Sequence, residues 1–200
     1  MKRWYKFIST ILHPIVMPTI GIILYFILTP INLSTRQQYT ILGIVFTATY
    51  IIPLLLLIFL KRINYIKSFQ VHGIKERRVP IFFMMTLLFM VGKFFAEISI
   101  IRDLSYLFFG VVLGLIVIYL LFISKIKTSL HLLSMGAATG YFLLFQQIHN
   151  INILPLIIVF ILLSGILAAS RLHLKAHTSR EVYIGFFIGL ISPFLAFYIL

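Results

Sequence analysis

The sequence predicts an all-α protein, a polytopic bundle of six to seven transmembrane helices, on three observations. Hydrophobic residues fill 62% of the 200 positions and only 10% are charged, against about a quarter charged in a soluble domain. The apolar residues fall in runs near the ~20 residues a helix needs to cross the hydrocarbon core. Those runs recur from end to end with no polar insert large enough to fold separately, so residues 1–200 read as a single membrane domain.

Taken in order, the basic stretch Met1–Lys6 leads into an apolar run too long for a signal-peptide core, so Ile15–Leu33 reads as a retained first span. Ile41–Leu60 forms the second. Lys61–Val79 is the long polar segment, and its composition allows a short amphipathic helix on the membrane surface, broken at Gly73. Pro80–Ile98 is the third span, with Lys93 and Glu97 four residues apart near its end, placed to pair or to snorkel to the interface. Tyr106–Ser124, Leu132–Ile148, Ile151–Ala169 and Val182–Leu200 complete the set. Gly136 with Gly140, and Gly185 with Gly189, are small-x-x-x-small pairs that suit close helix packing.

Seven spans sort the loops onto two faces. The N-terminus and residues 61–79, 125–131 and 170–181 share one face and carry 14 of the 17 Lys and Arg residues. The other face holds Arg36 and Arg102. On the positive-inside rule the basic face, with the N-terminus, is cytoplasmic, which predicts a multi-pass protein of a bacterial inner membrane. A formal net charge of +13 confined to short loops leaves no nucleic-acid module and points to membrane lipids or a phosphate-bearing ligand.

The four acidic residues, Glu76, Glu97, Asp103 and Glu181, are scattered. Metal-dependent diphosphate chemistry needs clustered carboxylates, so no metal or other cofactor is expected. Phosphate chemistry would rest on Arg, Lys and His. Ser170–Gly185 contains S-R-x5-H in Ser170, Arg171 and His177. Arg171 offers a planar fork suited to phosphate oxygens. His177 can act as a nucleophile if a neighbour fixes its tautomer, and on a helix Glu181 at i+4 would reach it. Lys125–Gly140 carries Ser129 and His131 where the fifth span begins, and two spans separate this segment from the first, returning both to one face.

These residues resemble the type-2 phosphatidic acid phosphatase superfamily, marked by K-x6-R-P, P-S-G-H and S-R-x5-H. The third mark is matched in full, and Thr128-Ser129-Leu130-His131 looks like a degenerate second. Lys75-Glu76-Arg77-Arg78-Val79-Pro80 is a remnant-like counterpart of the first. The layout, with His13-Pro14 and Met17-Pro18 near the start, is similar to a subgroup found in Bacteroidota-type bacteria. The resemblance implies a metal-independent phosphatase of a lipid phosphate or diphosphate, working through a phosphohistidine. It makes His177 the nucleophile, His131 the acid for the leaving oxygen and Glu181 the orienting carboxylate. Arg171, Ser129, Ser170, Lys75, Arg77 and Arg78 would hold the phosphate.

Other readings of the same residues stand beside this one. A phosphatase-like protein could bind lipid phosphate or a partner without catalysis, or the bundle could transport a lipid or solute. His173, His177 and Glu181, at i, i+4 and i+8, could ligate a metal if one helix carried them, with His131 as a further ligand. Ser129 could simply cap a helix. Lys61, Arg62, Lys67, Lys125 and Lys127 read as topology signals, and His13, His72 and His149 as interfacial histidines.

Overall fold

A computed structural model describes residues 2–29, 33–69, 71 and 73–200, and no strand occurs among them. His72 lies outside the described residues. Among the described residues nine α-helices follow one another: α1 (Lys2–Ile11), α2 (Met17–Leu28), α3 (Thr35–Phe46), α4 (Ile52–Arg62), α5 (Ile74–Ala96), α6 (Leu104–Leu121), α7 (Leu130–His149), α8 (Leu154–His173) and α9 (Ser179–Ile199).

Among the described residues, five helical stretches are long and apolar enough to cross a membrane: Thr35–Arg62, α5, α6, α8 and α9. The first joins α3 to α4 through a π-helical turn, Thr47–Ile51, in which the Ile52 amide donates to the Thr47 carbonyl. Pro53 explains the widening. It has no amide hydrogen, and its ring would clash with the carbonyl four residues back, so the helix admits an extra residue there.

The six to seven spans expected from sequence meet this count at two places. α2 has 12 residues, about 18 Å of helix, shorter than the expected Ile15–Leu33; residues 30–32 of that range lie outside the described ones. α7 has 20 residues but carries Gly, Ser, Thr, Gln and His among its apolar ones. Its position accounts for that composition. α7 packs against α9, α8, α6 and α2, and Leu132, Leu133, Met135, Tyr141, Phe142, Leu144 and Phe145 are each no more than 2% exposed. A helix walled by protein needs no lipid-compatible surface.

The α7–α9 contact is the tightest in the bundle. A Cβ added at Gly136 would strike the Phe186 carbonyl, at Gly140 the Leu190 carbonyl and at Gly189 the Leu133 carbonyl. At Gly185 it would lie 2.6 Å from the Ser129 carbonyl oxygen. The paired glycines therefore bring two backbones into direct contact, which any side chain would prevent.

Two loop expectations change. The segment before α5 forms no surface helix among its described residues; it turns through Asn64 and Val71, both with positive φ, and buries Leu60, Ile66 and Val71 as a small separate cluster. Gly73 stands extended at the N-cap of α5 (φ −84°, ψ 144°), so α5 begins at Ile74, six residues before Pro80, and takes Arg77 into its first turns. At the other loop, α8 runs on through His173, which leaves Ser170 and Arg171 on its last turn. Cations at a helix C-terminus complement its dipole.

The two ends of the bundle are held differently. At the far end, Asp103, just before α6, accepts hydrogen bonds from Tyr25 Oη of α2 at 2.7 Å and His149 Nε2 of α7 at 2.7 Å. Lys93 and Glu97 are exposed, and the only contacts of salt-bridge length among the described residues are the hydrogen-bonded His–carboxylate pairs His149–Asp103 and His177–Glu181. The near end carries the candidate site.

Candidate functional site

The near end gathers the start of α7, the end of α8, the start of α9, Arg77 of α5 and the inner face of α1. Short backbone links fix this assembly. The Ser129 amide donates to the Glu181 carbonyl at 3.1 Å, joining the entry of α7 to the first turn of α9. Lys127 Nζ donates to the Ala176 carbonyl at 3.2 Å, joining the same loop to the α8–α9 turn. Arg77 bridges α5 into the group, donating from Nε to the Val71 carbonyl at 2.9 Å and from Nη1 to the Thr128 carbonyl at 3.3 Å.

His177 and Glu181 meet, but not across a helical turn. The chain leaves α8 at His173 and re-enters a helix at Ser179, so His173, His177 and Glu181 do not share one helix. Thr178 is the N-cap of α9 and Glu181 its third residue, in a capping box: the Thr178 side chain accepts from the Glu181 amide and the Glu181 carboxylate from the Thr178 amide. The same carboxylate oxygen lies 2.8 Å from His177 Nδ1. Nδ1 is thereby the protonated nitrogen, and Nε2 is left with its lone pair. Burial pushes the His177 imidazole down to about 4, against the Glu181 hydrogen bond and with help from Arg77, Lys127 and Arg171. It is neutral at pH 7. Among the described residues no three His, Asp or Glu side chains converge as metal ligands, and the His173 ring stacks on Tyr5 instead, 4.1 Å between centroids.

His131 and Arg171 also converge, on Ser9, a residue that no motif or spacing singles out. Arg171 Nη1 donates to Ser9 Oγ at 2.7 Å. His131 Nε2 lies 3.1 Å from the Ser9 carbonyl and 3.4 Å from its hydroxyl. The carbonyl can only accept, so His131 Nε2 carries a proton. The His13 ring meets that of His131 edge-on at 4.9 Å, and burial, then the Arg171 charge, hold His13 below its ordinary value.

The remaining expected ligands divide. Ser129 occupies the N-cap position of α7, yet its hydroxyl caps nothing and is buried with no hydrogen-bond partner, as are Thr128 Oγ1 and Arg171 Nε. Ser170 is fully buried and donates to the Tyr5 carbonyl at 2.6 Å, so its hydroxyl ties α8 to α1. Of the three cations at the start of α5, Arg77 is buried while Lys75 and Arg78 are exposed. Lys127, read from sequence as a topology signal, belongs to the cluster: burial lowers its ammonium, and Arg77 and Arg171 push the same way.

Arg77, Lys127 and Arg171 thus share one region with a single carboxylate, Glu181, and with three buried polar atoms that have no partner. Unpaired buried donors are costly, about 1–3 kcal/mol each. A tetrahedral oxyanion would neutralise the excess charge and accept from Ser129, Thr128 and Arg171 together. By contrast, the polar hollow at the far end, lined by Gln146, Gln147, Asn150, Ile151 and Asn152, has no ionisable wall and offers no such chemistry. No family model matches the chain, and comparison with curated proteins and with solved structures finds no significant match.

Proposed function

We propose that the protein is a metal-independent phosphatase of a lipid phosphate or diphosphate, working through a phosphohistidine at His177. The observation that carries this reading is the pairing of a neutral His177, its Nδ1 held by Glu181 and its Nε2 lone pair available, with unpartnered buried donors and excess positive charge. In the first step Nε2 attacks phosphorus, the bond from phosphorus to the leaving oxygen breaks in line, and that oxygen takes a proton from His131. The arriving anion favours the protonated form of His131. In the second step water attacks phosphorus in line while the phosphorus–Nε2 bond breaks and its electron pair returns to His177, His131 takes up the water's proton, and inorganic phosphate leaves. Arg171, Arg77 and Lys127 hold the charge spread over the phosphoryl oxygens.

The membrane setting suits an amphiphilic substrate. Besides the five long apolar helices, α7 crosses within a protein jacket. α2 crosses with its irregular lead-in, since His13 meets His131 at one end of α7 and Tyr25 meets the Asp103–His149 pair at the other. Seven traverses put the site on the basic face, which the charge rule makes cytoplasmic in a bacterial inner membrane.

The deciding measurement is phosphate release by purified protein from a panel of lipid phosphates and diphosphates, beside His177→Ala and with a chelator present. Chelator-resistant release that the variant lacks is the expected result; none from any substrate would sink the reading. A binding-only role is the second reading, favoured by the commitment of both Arg171 and His131 to Ser9. Release inhibited by orthovanadate would exclude it.

A further inference from the structure

We propose that α1 is a membrane-seated gate on the phosphate site, with Ser9 on its inner face holding the groups that would bind phosphate and its outer face docked on an anionic lipid surface. The proposal rests on the phosphate-binding reading of the cluster. The two faces follow from spacing. Tyr5, Ile8, Ser9 and Leu12 recur at the 3–4-residue helical interval and turn inward, with Ile8, Ser9 and Leu12 buried. On the other side, Trp4, Phe7 and Ile11 are 63%, 56% and 47% exposed, and Lys2, Arg3 and Lys6 are exposed around them. An apolar stripe flanked by three cations is complementary to anionic headgroups over an acyl layer, each cation near such a surface contributing about 1 kcal/mol.

The inner face is a competitor rather than a mere support. Arg171 Nη1 and His131 Nε2 are both spent on Ser9, leaving Arg171 Nε buried without a partner. A phosphate oxygen reaching Arg171 and His131 therefore displaces Ser9, and with it the turn of α1 that the Ser170–Tyr5 hydrogen bond holds down. Because Trp4 and Phe7 lie on the opposite side of that same turn, rolling α1 outward moves them deeper among lipids. Membrane seating and site opening are one motion.

The chain has one Trp, so Trp4 reports directly. The full-length protein is placed in nanodiscs of phosphatidylcholine with or without phosphatidylglycerol, some carrying brominated acyl chains, and titrated with inorganic phosphate. Bromine quenching of Trp4 is expected, stronger with phosphatidylglycerol and less so in the Lys2→Gln/Lys6→Gln variant, and phosphate should deepen it. Ser9→Ala should tighten phosphate binding about tenfold, the worth of one charge-assisted hydrogen bond, and Ile8→Ala, which loosens α1 without touching the polar contacts, should shift it the same way. Arg171→Ala should abolish the response. Absence of quenching in both membranes would overturn the proposal and leave the stripe to a partner protein or a second copy. Weaker phosphate binding in both Ser9→Ala and Ile8→Ala would also overturn it, making Ser9 a ligand. If phosphate moves Trp4 but no lipid phosphate is hydrolysed, the phosphatase reading fails and the gate stands; hydrolysis with a silent Trp4 is the reverse.

Discussion

At the scale of single residues, Glu181 does two jobs with one carboxylate oxygen, accepting from the Thr178 amide at 3.2 Å and from His177 at 2.8 Å. Glu181→Gln keeps a capping-box residue but replaces the charge that fixes the imidazole. The expected result is an unchanged melting midpoint with turnover reduced about a hundredfold, measured as phosphate release. A variant that melts early, with the capping residue kept, would mean that the Glu181 charge serves the stability of the fold rather than turnover alone. The neutral state of His177 also sets a pH dependence. Its folded value lies below the ordinary 6.5, so below pH 6.5 the unfolded chain binds a proton that the folded one refuses. Stability is full above 6.5 and is lost as pH falls from there toward about 4; thermal melts of the wild type and of His177→Gln should converge in that window. The sequence made His177, Arg171 and Glu181 readable because a short spacing joins them. Ser9 had no such signal, lying 162 residues from Arg171 and 122 from His131. Lys127, half-buried in the fold, looked like any loop cation, since only folding reveals which of several is drawn into the cluster.

At the scale of elements, the α7–α9 seam separates two kinds of glycine. Gly140 meets the Leu190 backbone, whereas Gly165 on α8 has no atom within 4 Å of an added Cβ. Gly140→Ala should therefore cost about 1–3 kcal/mol through overpacking, and Gly165→Ala should gain about 0.5–1 kcal/mol from helix propensity. Equal effects in unfolding titrations would mean the seam is looser than described. The far-end latch tests in the same way. Tyr25→Phe leaves Asp103 with one of its two donors, and a loss of about 1–3 kcal/mol is expected.

At the scale of the molecule, the basic segments meet at one end of the bundle, so reporters at Lys67 and Lys175 should fall on the same side of the membrane and reporters at Ser34 and Leu200 on the other. Lys67 and Lys175 on opposite sides would remove the shared site. Apolar runs made the helical architecture and most helix positions legible from sequence, because lipid-facing surface must be apolar whatever it packs against. The misread boundaries have physical causes as well. Polar first turns such as Ile74–Val79 and last turns such as Ser170–His173 extend beyond the apolar core, and an apolar-run criterion stops short of them. α7 shows a further consequence. A helix with Gln146, Gln147, two glycines and several small residues partitions poorly into lipid by itself, and its closest partner, α9, is synthesised two helices later. On the proposed seven-span topology, α7 depends during translation on a shelter, at the insertion machinery or against α6, until α9 emerges and its glycines can meet those of α7. Ribosome-stalled chains ending before Ser179 should leave residues 150–153 incompletely translocated, and chains extended through Leu200 should not, so the moment of final membrane integration is set by the arrival of α9.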